Sequence, residues 1–173
     1  FFIDPSTLKK DETHPQCNFP ARFLWLDSQL HFDRRVLPKV ECESLTRWKT
    51  KLDVGSITFI FASYYMGNPA SIFGHTLLRL NTKRANDQKL NLIDYGLNYS
   101  ANTENAGPFW YALGGMVGGF KGTFSLFPYF LKVLEYNNLE SRDLWEYDLN
   151  FSEEEINRMV NHIWELGEGV FFD

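Results

Sequence analysis

Among the side chains able to do chemistry, His75 has the most distinctive setting. It lies in Asn68-Pro69-Ala70-Ser71-Ile72-Phe73-Gly74-His75-Thr76, after a turn and at the start of a strand-like run. Gly74 beside it would let another backbone or a ligand approach closely. A neutral imidazole there can act as a general base toward a thiol or a hydroxyl. The plainer reading is a structural histidine with its hydrogen bonds satisfied. A base also needs a nucleophile. Ser71 lacks a Gly-x-Ser-x-Gly elbow, and neither Cys17 nor Cys42 sits at a strand-to-helix nucleophile position. His14, His31 and His162 are weaker candidates, and no two of the four histidines share metal-ligand spacing, so no metal or other cofactor is expected.

Asn98 lies on the strand expected to pair with that of His75. A neutral amide can hold an imidazole in one tautomer, as the third group of a thiol-protease triad does. Asp94 is the alternative orienter, and a polar strand-end residue is the plainer reading. Cys17 and Cys42 are 25 positions apart; in an exported protein they could bridge, with a chain-entropy gain of about 3 kcal/mol. In a cytosolic protein they would be two buried thiols, and the residues alone leave both open. Gly118-Gly119-Phe120-Lys121-Gly122-Thr123 is not a phosphate loop, because its lysine does not directly precede Ser or Thr. The run Phe109 to Phe120 mixes aromatics with glycine and reads as an apolar lip at an interface, or as a loop packed on the core. Glu146 and Asp148, two apart on a strand, share a face; solvated charges opposite a buried Leu144/Trp145 region are favoured over a paired-carboxylate site.

The elements that must hold these groups are legible in outline. Residues 1–19 are polar, carry Pro5 and Pro15, and read as an arm. Arg22 to Leu30 presents Phe23, Leu24, Leu26 and Leu30 as a short apolar helix face, and Glu43 to Leu52 is a second helix with Leu45, Trp48 and Leu52. Ile57 to Tyr65 lacks alternation, as expected of a strand buried on both faces. His75 to Asn81 alternates, and with Leu92 to Tyr99 it forms an antiparallel hairpin. Thr123 to Phe127 and Leu144 to Leu149 are further strands, while Phe130 to Tyr136 is ambiguous between helix and strand. Ser152 and Glu155 form a capping box for a final helix whose stripe is Ile156, Met159, Val160 and Ile163, ended by Gly167.

Composition bounds the function. The 173 residues are 44% hydrophobic, 17% aromatic and 23% charged, which fits one folded domain and excludes a disordered chain. A net charge of −5 argues against a nucleic-acid partner. No signal peptide is visible, so an export signal would lie upstream. No stretch reads as a transmembrane helix; Ala106 to Phe120 is uncharged but contains Pro108 and five glycines.

Five segments occur in order: Cys17-Asn18-Phe19-Pro20-Ala21-Arg22, Ser71-Ile72-Phe73-Gly74-His75-Thr76, Gly118-Gly119-Phe120-Lys121-Gly122, Glu135-Tyr136, and Arg142-Asp143-Leu144-Trp145-Glu146-Tyr147. Together, over nearly the whole chain, they resemble the Lnb-type N-terminal periplasmic domain of Gram-negative bacteria, a family that bears the name of a lipoprotein N-acyltransferase. The resemblance implies an α+β fold, circularly permuted papain-like (NlpC-like), an antiparallel sheet with packed helices. Its layout is related to that of NlpC-type peptidases and lecithin:retinol acyltransferase. His75 matches the family histidine. The family nucleophile belongs to an Asn-Cys-Thr/Ser motif shortly after the final amphipathic helix, and that motif is absent from these 173 residues. The expectation is therefore one domain over residues 1–173, incomplete at its C-terminal end and inactive alone, with its nucleophile beyond Asp173.

By that resemblance, His75 activates a thiol oriented with the help of Asn98, and an acyl chain passes through a thioester to the N-terminal amine of a lipoprotein. Phospholipid or diacyl lipoprotein is the donor, and a membrane surface is a further partner. Phe73, Trp110, Tyr111, Met116 and Phe120 are the candidate acyl-binding residues. Export to the periplasm makes a Cys17–Cys42 disulfide the expected pairing, with membrane association through other parts of the parent protein. The alternatives are a periplasmic thiol amidase or peptidase, and an envelope lipid-binding module without chemistry.

Overall fold

A single antiparallel sheet organises the residues that the structure describes. In the computed structural model these are residues 1–9, 12–64, 66, 74–83, 94–101, 113–114, 117, 119–135 and 143–167. The strands β1 (Val54–Ala62), β2 (His75–Thr82), β3 (Tyr95–Ala101), β4 (Gly122–Pro128) and β5 (Leu144–Leu149) lie in the order β4-β3-β2-β1-β5. Every neighbouring pair is antiparallel. The architecture is α+β. β1 lies between β2 and β5, and its Ile57, Thr58, Ile60 and Ala62 are buried, as its unbroken apolar run predicts. It ends at Ala62, before the expected Tyr65, and the described part of β3 begins at Tyr95 rather than Leu92.

The two faces differ in chemistry. Ile57, Leu80 and Leu97 point to one face, where α5 (Glu153–Gly167) lays Ile156, Val160 and Ile163 against them, with Met159 and Trp48 alongside. The capping box of α5 is made: Ser152 N donates to Glu155 Oε2 at 2.8 Å, and Glu155 N returns a bond to Ser152 Oγ at 3.3 Å. The other face carries Ile60, Ala62 and Leu77, closed by Tyr129 of α4 (Tyr129–Leu134) with Val133 and Leu144. The ambiguous stretch is thus helical. Pro128 ends β4 with φ −60°, and Tyr129 buries its ring as the helix begins.

Three α-helices precede the sheet, after a 3-10 turn at Pro5–Thr7: α1 (Pro15–Asn18), α2 (Pro20–Leu30) and α3 (Glu43–Leu52), the last with the predicted bounds. Residues 1–19 are not a free arm. Gln16 Nε2 donates to Phe1 O and Pro38 O at 3.0 and 3.3 Å, and Trp164 Nε1 donates to Cys17 O at 2.8 Å. Cys17 and Cys42 form a disulfide, joining α1 to the N-cap of α3. α2 also departs from expectation. It buries Pro20 and Ala21, whereas Leu24, Trp25 and Leu30 are exposed, because contacts with α5 and not the apolar stripe decide its orientation. Phe19 supplies no side-chain cap to α2; the buried Glu165 of α5 accepts from Ala21 N and Arg22 N at 2.8 and 3.0 Å instead.

Candidate functional site

Gly74 sets up the site. Its φ is +89°, and a Cβ there would lie 2.7 Å from the Ala62 carbonyl oxygen and from Phe61 ring carbons. Only glycine fits such a turn, and the turn makes His75 the first residue of β2, paired with Ala62. The β2–β3 register pairs Leu78 with Leu97, so Asn98 falls next to Leu77, diagonal to His75 on the same face.

His75 Nε2 is hydrogen-bonded to Asn98 Oδ1. The amide oxygen can only accept, so Nε2 carries the proton and Nδ1 keeps the lone pair. Among the described residues nothing engages Nδ1. Asn98 is buried at 8% exposure while His75 is half-buried, which puts the orienting group inside and the imidazole at the rim. An imidazole held in this way has the tautomer that a general base toward a thiol or hydroxyl requires.

Asp94, the alternative orienter, lies elsewhere. Fully buried, it accepts from Thr82 N at 2.9 Å, near the opposite end of β2 from His75, and stands 3.8 Å from Arg79 Nε. Burial raises its carboxyl above the usual range, against the pull of the Thr82 amide and Arg79. The same sheet face holds a polar cluster that the sequence reading missed. Arg79, 7% exposed, donates to Glu146 Oε2 at 2.8 Å and to Asn81 Oδ1 at 2.7 Å, under the Tyr129 ring. Tyr129 donates to Glu146 Oε1 at 3.0 Å, and Thr58 donates to Asp148 Oδ1 at 2.7 Å. Glu146 and Asp148 do share a face, but Glu146 is tied to a buried arginine. Trp145, expected inside, is 55% exposed because β5 is an edge strand. The available signal was Arg79 itself, sharing alternation with His75 and Leu77 on a strand with little solvent.

Phe120 is half-buried, its ring against the Gly114 backbone. Gly122 leaves room for the Tyr99 hydroxyl, which would lie 1.8 Å from a Cβ placed there. Phe73, Trp110, Tyr111 and Met116 lie outside the described residues. His14 has a structural role: its Nε2 donates to Ile3 O at 3.0 Å and its Nδ1 accepts from Gln16 N at 3.1 Å. His31 is the exposed C-cap of α2, and His162 lines a groove of about 780 Å³ between α2 and α5, on the other side of the sheet from His75. Among the described residues no helix is long and apolar enough to cross a membrane.

Searches of curated proteins and of solved structures returned no match. A family match covers residues 44–172, described as the Lnb N-terminal periplasmic domain. It takes in all but the first residue of α3, the whole sheet, Gly74, His75 and Asn98. A disulfide between Cys17 and Cys42 suits that oxidising compartment. By fold elements, span and compartment, the chain belongs to the Lnb N-terminal periplasmic domain family.

Proposed function

We propose that this domain supplies the histidine–asparagine half of a thiol-dependent acyltransferase acting on bacterial lipoproteins. The observation that carries the reading is the Asn98-held imidazole, with its Nδ1 lone pair directed away from the orienting bond. An antiparallel sheet with the histidine at a strand start also supports a circularly permuted papain-like layout. Both cysteines of the 173 residues are in the disulfide, so the reading requires a thiol from outside these residues. Family resemblance puts it in an Asn-Cys-Thr/Ser motif after α5.

In the first half-reaction His75 Nδ1 takes the thiol proton, and the thiolate attacks an ester carbonyl of a phospholipid or diacylated lipoprotein. The tetrahedral oxyanion is held by backbone N–H groups near the nucleophile. Its collapse breaks the ester C–O bond, and His75 returns the proton to the leaving alkoxide, leaving a thioester. In the second, the α-amine of the lipoprotein's N-terminal cysteine attacks that thioester. His75 takes the amine proton as the C–N bond forms, and then returns it to the departing thiolate. By the family resemblance, Phe73, Trp110, Tyr111, Met116 and Phe120 are the candidate acyl-binding residues.

The test uses the full-length parent protein. His75→Ala should lower lipoprotein N-acylation by at least ~100-fold, and Asn98→Ala by a smaller factor with an altered pH profile. Acyl-enzyme labile to hydroxylamine should accumulate on the downstream cysteine without acceptor. Undiminished acylation in His75→Ala would sink the reading. Turnover of envelope amides with no acyl transfer would move the domain to the thiol amidase or peptidase class, and lipid binding without turnover would make it a binding module.

A further inference from the structure

α2 and α5 enclose a groove of about 780 Å³, within the roughly 300–1,000 Å³ of small-ligand sites. Lys49 of α3 decides how the α5 wall is presented. An ammonium only donates, and Lys49 Nζ bonds to Asn157 Oδ1 at 2.5 Å and to Asn161 Oδ1 at 3.0 Å. Both amide oxygens are thus held on the α3 side, which leaves both Nδ2 groups turned from it, toward α2. Among the described residues no acceptor engages either Nδ2. Asn161 is 1% exposed and lines the groove, so the groove is where its donor is reached. Side-chain donors so deeply placed rarely stand without an acceptor.

The α2 wall of the same groove holds Leu24 and Trp25, 48% and 62% exposed. Net charge is absent from it. Arg22 Nε lies 3.3 Å from Glu165 Oε2, and Arg158 Nη2 lies 3.2 Å from Glu154 Oε1, so each groove arginine has its own counter-charge. We propose that the groove is a binding site for a neutral, N-acetylated saccharide, the chemistry of an envelope glycan strand. The acetamido carbonyl accepts from Asn157 and Asn161, which are neighbours one helical turn apart. The C–H face of a pyranose ring lies on Trp25, whose ring face is electron-rich.

Other occupants fit this groove less well. Both walls are helices whose backbone bonds are internal, so an extended peptide finds no main-chain ladder there. An amphipathic helix would set apolar side chains against Asn157, Arg158, Asn161 and His162. A free anion meets arginines that are already paired. The periplasmic setting of the family supplies a glycan of the required kind. The site lies on the other side of the sheet from His75, so a bound strand anchors the domain without entering the His75 face. It does not rest on the acyl-transfer reading.

The probe is the tetramer of N-acetylglucosamine, titrated into the folded chain with side-chain amide and indole NMR as the readout. Shifts are expected at the Trp25 indole N–H and at the Asn157 and Asn161 Nδ2 groups, with the His75 ring unmoved. A glucose tetramer, which lacks acetamido groups, should bind at least ~10-fold more weakly, a comparison that needs no variant. Asn157→Asp keeps an oxygen for Lys49 and replaces the groove-facing donor with an acceptor. It should weaken binding at least ~10-fold. Trp25→Ala, at an exposed position, should do the same, and thermal unfolding verifies that both variants stay folded. Absence of groove shifts, equal binding of the two tetramers, tighter binding of acetate than of sugar, or wild-type affinity in both variants would overturn the proposal. None of these readouts needs turnover, so they fail or succeed independently of the acylation assay.

Discussion

At the residue scale, two groups that sequence treated as rivals prove to have separate work. Asn98 fixes the tautomer of His75, while Asp94 is locked into the Arg79 cluster at the far end of the same strands. Alternation along β2 and antiparallel pairing were enough to bring His75 and Asn98 to one face. Burial of Asp94 was not readable, because it depends on α4 closing over that face. Its elevated carboxyl has a consequence for stability. Between the ordinary value of 3.8 and the raised one, the folded state binds more protons than the unfolded state. The contribution of Asp94 is therefore present below 3.8 and is lost as pH rises through the raised value. Urea midpoints of wild type and Asp94→Asn across acid pH check this: wild type should gain on the variant as pH falls. The opposite slope would mean that attraction to Arg79 outweighs burial.

At the element scale, the strands and α5 were the most legible features, since their signals are local: unbroken apolar β1, alternating β2, the Ser152/Glu155 box of α5. The helical layer was harder. The pattern of α2 suggested that Leu24 and Leu30 pack inward, yet both are exposed, because α2 is held by its end and not by its stripe. Glu165, 144 residues away from Ala21, accepts its N–H and that of Arg22, and Arg22 Nε lies 3.3 Å from the same carboxylate. No local sequence signal encodes a cap from so far along the chain. Replacing Glu165 with Ala leaves two helix-end donors in a buried place, at a cost of about 2 kcal/mol. Glu165→Gln retains an acceptor oxygen and should cost less than about 1 kcal/mol. Denaturant unfolding of the two variants distinguishes this cap from simple packing, which would penalise them alike.

At the scale of the whole molecule, the sheet separates two jobs. One face, with α5, Trp48 edge-on to Trp164 at 5.3 Å, and the disulfide-tied α1–α3 layer, is built for stability. The opposite face carries His75 and Asn98 beside the Arg79 cluster. The disulfide spans 25 residues, which corresponds to about 3 kcal/mol of chain-entropy stabilisation. Reduction, or a Cys17→Ser, Cys42→Ser double variant, should lower the unfolding free energy by roughly that amount. It should also loosen Trp164 from the Cys17 carbonyl, a change that indole NMR reports. The imidazole nitrogen shifts of His75, which read its tautomer, should stay where they are while the protein remains folded. A change at His75 on reduction would mean that the sheet transmits the state of the helical layer to the site, and the division of labour between the faces would fail. Stable His75 signals with weakened folding would show that the periplasmic disulfide supports the scaffold without setting the chemistry.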